Sequence, residues 1–115
     1  TTNEEIAANI KALAEAAKSN GISVVLASVL PAARFHWKPE VRPVERIKAL
    51  NVWIKDYAAK NKLVFLDYYS AMNDGQGGLK AGLSGDGVHP NQAGYAVMAP
   101  LAQEAIDRAL RAGAR

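Results

Sequence analysis

The chain of 115 residues contains no cysteine. That removes disulfides, thiolate metal sites and thiol nucleophiles together. No apolar run reaches the length of a membrane span. Aromatic residues make up only 7% of the chain, and histidine occurs twice, as His36 and His89. Charge of one sign is also scarce in excess. The net charge is +3, and acidic and basic residues share the same segments. Glu4, Glu5 and Glu15 alternate with Lys11 and Lys18, while Arg108, Arg111 and Arg115 gather near a helix C-terminus, where cations favour the dipole. A solvated basic surface is expected, and no nucleic-acid partner. The chain opens on Thr-Thr-Asn-Glu-Glu without a methionine, so the natural N-terminus is expected to lie upstream.

Half of the residues are hydrophobic, enough for one domain with a core. Thr2 and Glu5 have capping-box spacing. Ile6, Ile10, Leu13 and Ala17 then recur at helical spacing, and Gly21 suits a left-handed C-cap. The run Ile22 to Leu30 is β-branched and nearly all apolar, which reads as a parallel strand buried on both faces. A loop from Pro31 to Arg42 leaves its carboxyl end, where open α/β sheets bind ligands. A second helix is expected from Pro43 to about Lys60, with Ile47, Leu50, Ile54 and Tyr57 inward. Trp53 shares that spacing and reads as packing. Leu63 to Leu66 reads as a second strand, followed by a turn of helix over Tyr68 to Met72 capped by Asp67. A glycine-rich loop runs from Asn73 to Gly87. The last helix is expected to start at Asn91 and to kink or restart near Val97, because Pro100 would break its interior. Its inward residues are expected to be Tyr95, Met98, Ala102, Ile106 and Ala109. Helical crossovers imply parallel pairing, but two strands are too few for a doubly covered sheet. The pattern therefore reads as the C-terminal part of a larger α/β domain.

The chemistry concentrates in Asp86-Gly87-Val88-His89-Pro90-Asn91-Gln92-Ala93-Gly94-Tyr95. An imidazole can take a proton from a hydroxyl nucleophile, and a carboxylate on its other nitrogen fixes the tautomer. A turn aspartate beside a surface histidine would show the same letters. A metal site from Asp74, Asp86 and His89 would lack a firm third ligand.

This block resembles the last conserved block of the SGNH (GDSL-type) hydrolases, which are esterases and lipases. The succession of helix, strand ending in Pro31, helix, and strand ending in Phe65-Leu66-Asp67 is similar to the second half of their fold. Leu66-Asp67-Tyr68-Tyr69-Ser70-Ala71-Met72 resembles bacterial acetylhydrolase-like members. The resemblance implies a flavodoxin-like three-layer parallel-sheet domain, of which residues 1–115 form the C-terminal part. It also implies that Asp86 and His89 are the acid and base of a Ser–His–Asp triad. The family's Gly-Asp-Ser motif and its oxyanion-hole glycine and asparagine blocks are not among these residues. Ser19, Ser23, Ser28, Ser70 and Ser84 match none of them. The expectation is a base and its orienter without a nucleophile, hence no hydrolysis by this chain alone. Arg34, Phe35, His36 and Trp37 are candidate substrate-binding residues. The expected substrate is a small acyl ester, acetyl or short-chain, of a carbohydrate or lipid-like alcohol, with no cofactor and no metal. The missing N-terminal portion of the domain is the expected partner. A non-catalytic assembly fragment, pairing with that portion or with a second copy, is the alternative. The resemblance also suggests a bacterial secreted or periplasmic setting.

Overall fold

The structure is a computed structural model and describes residues 1–113. Arg115, expected beside Arg108 and Arg111, lies outside the described residues. The order is α1 (Asn3–Ser19), β1 (Val25–Ala27), α2 (Pro43–Lys60), β2 (Val64–Leu66), α3 (Tyr68–Met72) and α4 (Gln92–Gly113).

Local signals set the helix ends. The Thr2 hydroxyl accepts from the Glu5 N–H at 3.1 Å and the Glu5 carboxylate accepts from the Thr2 N–H at 3.3 Å, closing the capping box. At the other end of α1, Gly21 adopts φ +74°. The Ile22 N–H then reaches the Ala17 carbonyl at 2.9 Å, a Schellman closure. Pro43 occupies the first turn of α2. Asp67 caps α3, its carboxylate accepting from the Ser70 N–H at 3.0 Å.

The two strands pair in parallel, with Val25, Leu26 and Ala27 opposite Val64, Phe65 and Leu66. Helix α2 makes the crossover. Helices α2 and α4 both pack on the strand pair, and α1 packs on α2. Leu50, Ile54 and Ala58 of α2, Leu66 of β2, and Ala105 and Ala109 of α4 are buried and form the core. The arrangement is α/β with a small parallel sheet, as expected.

Strand β1 is shorter than the apolar run that contains it, and it is not buried on both faces. Ile22 is consumed by the cap of α1. Val29 is diverted by Asn51 of α2, whose side-chain amide accepts from the Val29 N–H at 2.7 Å and donates to its carbonyl at 3.0 Å. The Ser28 N–H still reaches the Leu66 carbonyl at 2.9 Å. In a parallel ladder this turns the backbone groups of Leu26 and Ser28 toward β2, and those of Val25 and Ala27 toward the opposite edge. No strand among the described residues pairs with that edge. Ala27 is exposed, and Leu13 and Ile22 beside it are 72% and 59% exposed. Leu13 therefore does not belong to the buried stripe of α1, where Ala14 is buried instead.

Helix α4 also departs from expectation. It runs unbroken through Pro100. Pro100 lies on the exposed side, as does Ala96, the residue whose carbonyl the missing N–H would have met. Water can serve that carbonyl, so the lost bond costs little. The inward stripe runs through Gly94, Met98, Ala105 and Ala109, and Tyr95 and Ile106 are exposed because they sit one position off it.

Candidate active site

The loop between α3 and α4 is irregular but heavily hydrogen-bonded. Its last part is closed by a bridge between Ser84 and Pro90 and by the Asn91 N–H donating to the Leu83 carbonyl at 2.9 Å. Gly87 takes φ +79°, a left-handed turn that folds His89 back over Asp86. Asp86 Oδ1 accepts from the Val88 N–H at 2.9 Å and the His89 N–H at 2.8 Å. The Ser84 hydroxyl accepts from the Gly87 N–H at 2.9 Å and donates to the His89 carbonyl at 2.6 Å. Asn91 caps α4, its side-chain oxygen accepting from the Gly94 N–H at 2.9 Å, while its amide donates to the Gly82 carbonyl at 3.0 Å. Gly94 is required here, because a Cβ would lie 2.6 Å from the Leu83 carbonyl oxygen and 2.9 Å from the Pro90 Cβ.

That scaffold leaves Asp86 Oδ2 for one partner. It stands 2.7 Å from His89 Nδ1, which donates to it. The ring is therefore in the Nδ1–H tautomer when neutral, with Nε2 bare and without a hydrogen-bond partner among the described residues. The His89 side chain is 73% exposed. Asp86 is held far below the ordinary aspartate value of 3.8, first by the His89 side chain and then by the His89 and Val88 backbone N–H groups; desolvation opposes them weakly. The carboxylate is therefore ionised at every pH at which His89 can act as a base. The pair can accept a proton at Nε2 and stabilise the resulting imidazolium.

The loop from β1 to α2 meets this pair. His36 Nε2 donates to the Asp86 backbone carbonyl at 2.8 Å. Trp37 stacks on Phe35, with ring centroids 5.2 Å apart and planes at 19°, and on His89, at 6.4 Å and 27°. Arg34 is exposed, with no ion pair or hydrogen bond among the described residues. It lines a cavity of about 240 Å³ with His36, Asp74 and Asp86. Of the four loop candidates, two thus touch the Asp86–His89 pair directly, and Phe35 reaches it through Trp37. Sequence reasoning did not reveal those contacts, since His36 and Asp86 stand 50 positions apart. It also missed Ser84 as a brace of the Asp86 turn. The run Ser84-Gly85-Asp86-Gly87, all turn formers, was the available signal. Among the described residues no three His, Asp or Glu side chains gather as metal ligands, and Asp74 Oδ1 instead accepts from the Gln76 and Gly78 N–H groups at 2.7 and 3.1 Å.

The fold and site define a class: a parallel α/β scaffold with an aspartate–histidine pair on the loop that enters its last helix. The chain belongs to the GDSL-like lipase/acylhydrolase family, whose model matches residues 1–97. A comparison with curated proteins returned no match. Among solved structures, a protein assigned as an acylhydrolase from Bacteroides fragilis is 40% identical, with a TM-score of 0.91 over 96% of this chain and 54% of its own. A GDSL-like lipase from Bacteroides thetaiotaomicron is also 40% identical, with a TM-score of 0.90 over 95% of this chain and 54% of its own. The esterase domain of an ORF1 protein from a zebrafish retrotransposon shares the fold at 22% identity and a TM-score of 0.71, over 97% of this chain and 61% of its own. The chain thus spans about half the length of the two Bacteroides structures.

Proposed function

We propose that residues 1–115 are the C-terminal part of a serine esterase domain that hydrolyses acetyl and other short acyl esters. Asp86 and His89 are the acid and base of its Ser–His–Asp triad, and the nucleophile is supplied from outside this chain. The observation that carries the reading is the 2.7 Å contact of Asp86 Oδ2 with His89 Nδ1, which leaves Nε2 open. His89 Nε2 takes the serine proton as the hydroxyl attacks the ester carbonyl. Asp86 stabilises the imidazolium, which then protonates the departing alcohol. Water enters, gives its proton to Nε2 in turn, and releases the acid from the acyl-enzyme.

The serines of this chain support an external nucleophile. The Ser84 hydroxyl is engaged by the His89 carbonyl and the Gly87 N–H, on the Nδ1 side of the pair. Ser28 is buried and its hydroxyl accepts from the Tyr69 N–H at 2.9 Å. Ser70 donates to Asp67 Oδ2 at 2.6 Å. Ser19 and Ser23 lie at the C-terminus of α1 and before β1, the end of the sheet away from the β1–α2 loop. The rest of the domain would also bring the oxyanion donors and a strand for the open edge of β1. A second reading shares that edge: the exposed Leu13 and Ile22 favour pairing with a second copy. Sedimentation or light scattering of the chain separates the two by mass.

The test is hydrolysis of p-nitrophenyl acetate by the full-length protein. His89→Ala is expected to lower kcat by about four orders of magnitude, and the isolated chain is expected to give no turnover. Unchanged turnover in His89→Ala sinks the assignment.

A further inference from the structure

The β1–α2 loop is built as a rigid object. The Lys38 N–H donates to the Phe35 carbonyl at 3.1 Å and the Val41 N–H to the Lys38 carbonyl at 3.0 Å, two successive turns. The Arg42 guanidinium closes the second by donating to the Pro39 carbonyl at 2.7 Å. Two side chains leave this object toward the Asp86–His89 pair, and they meet different parts of it. His36 grips the backbone carbonyl of Asp86. Trp37, 62% exposed and stacked on Phe35, presents its ring to the imidazole of His89.

We infer that His36 and Trp37 are positioning residues for the base, clamping the Asp86 turn and the His89 ring from the β1–α2 loop. The inference rests on the reading of His89 as the base. Its physical content is specific. The Asp86 turn is exposed, and its own hydrogen bonds run within Ser84 to His89. Its side-chain bond to the rest of the molecule is the one from His36. In water a neutral imidazole prefers the Nε2–H tautomer, which carries a proton where the base needs a lone pair. The Asp86 contact reverses that preference only while the turn holds its place. Trp37 adds a π face stacked on the imidazole, 6.4 Å between centroids, that favours one orientation of the ring. The charged and titratable groups that line the cavity beside the Asp86 turn are Asp86 itself, Arg34 and His36 on the β1–α2 loop, and Asp74 on the α3–α4 loop. Neither His36 nor Trp37 is assigned a proton transfer.

The experiment is ¹⁵N NMR of the His89 ring in the full-length protein, with His89→Ala assigning the resonances. His36→Leu should raise the Nε2–H tautomer fraction, and His36→Gln, which keeps a donor, should restore the starting value. Trp37→Leu should also raise the Nε2–H tautomer fraction, with Trp37→Phe between it and the starting value. In the esterase assay His36→Leu should lower kcat about tenfold with KM unchanged, and His36→Gln should recover most of it. A His89 tautomer ratio unaltered in both leucine variants overturns the inference, whatever the turnover. Altered ring behaviour in a protein with no esterase activity supports the clamp and removes the esterase reading, so the two failures are distinguishable. Unfolding of a leucine variant shifts the weight to His36→Gln and Trp37→Phe. A starting tautomer ratio in His36→Gln with an altered ratio in Trp37→Phe then supports the clamp, and an unaltered ratio in Trp37→Phe overturns it.

Discussion

The Asp86–Tyr95 segment and the outer edge of β1 lie at opposite extremes of completeness. In the first, Asp86 and Asn91, with Ser84 just upstream, use their side-chain oxygens to satisfy backbone N–H groups within a few residues, and Oδ2 of Asp86 is left for His89. Most of these hydrogen bonds are local, and His36 adds one from the β1–α2 loop. In the second, a strand of three residues pairs on one side only, and apolar Leu13 and Ile22 stand in solvent. The outward backbone groups of that strand have no strand partner among the described residues. A loop closed by hydrogen bonds can preserve a reactive geometry that a sheet held by burial cannot finish alone.

The contrast can be broken most forcefully from the loop side. Asp86→Asn keeps the size of the side chain but replaces a carboxylate with an amide, which no longer fixes the Nδ1–H tautomer or stabilises the imidazolium. On the proposed reading, kcat of the full-length protein toward p-nitrophenyl acetate is expected to fall roughly a thousandfold with a small change in KM. The pH profile should show the other half of the argument. Because Asp86 is held below its ordinary value of 3.8 in the folded protein, its ordering contribution is present above 3.8 and is lost only as the pH falls toward the lowered folded value. Asp86 therefore adds no ionisation of its own to the acidic limb of the kcat/KM profile. A second ionisation in that limb, abolished in Asp86→Asn, would contradict this.

The sheet side is sharpened by Leu13→Asp. In the isolated chain Leu13 is 72% exposed, so urea denaturation should register a change within about 0.5 kcal/mol. In the full-length protein the same substitution should cost about 3 kcal/mol, because a covering strand would bury a charge there. Equal effects in the two proteins would mean that β1 has no further partner, and the incomplete-sheet reading would fall.

Gly94→Ala probes the seam between the loop and α4. Glycine to alanine inside a helix normally stabilises by about 0.5–1 kcal/mol. Here the new Cβ would collide with the Leu83 carbonyl oxygen at 2.6 Å, a backbone atom that cannot turn aside. We expect destabilisation of about 1–2 kcal/mol by urea denaturation, the opposite sign. A stabilised variant would show that the seam is loose and the loop's geometry less determined than its hydrogen bonds imply.

Much of this contrast was legible beforehand, and unevenly so. Thr2 with Glu5, Gly21, Pro43, Asp67 and Asn91 announced helix ends correctly, because a cap is decided by residues within one turn. The Asp86–His89 spacing announced a pair for the same reason. The strand run from Ile22 to Leu30 misled, because β-propensity shows what can lie in a sheet and not which neighbours arrive to pair with it. Asn51 diverting Val29, and His36 reaching Asp86, are contacts between segments 22 and 50 positions apart. No local pattern encodes them. Tyr95 and Ile106 were misplaced by one position on α4, since an apolar stripe with many alanines has no sharp edge.

Pro100 gives the smallest and most delicate test, because the expectation it overturned was itself a local rule. A proline in a helix interior removes one N–H and crowds the carbonyl four residues back, and both effects argue for a break after Tyr95. Yet α4 continues to Gly113. The rule assumes that the freed carbonyl has no other partner. On the exposed side of α4 the Ala96 carbonyl can turn to water, and the packing of Ala105 and Ala109 beyond the proline holds the remaining turns in place. Pro100→Ala should then restore one helical hydrogen bond and stabilise the chain by about 1 kcal/mol, with kcat unchanged. The gain should be smaller than the roughly 3 kcal/mol by which the two residues differ in a free helix, since the native structure has already accommodated the ring. A gain of the full size would mean that α4 is strained at Pro100. That strain would be transmitted toward Asn91 and the loop, and the geometry of the Asp86–His89 pair would then depend on more than its own ten residues.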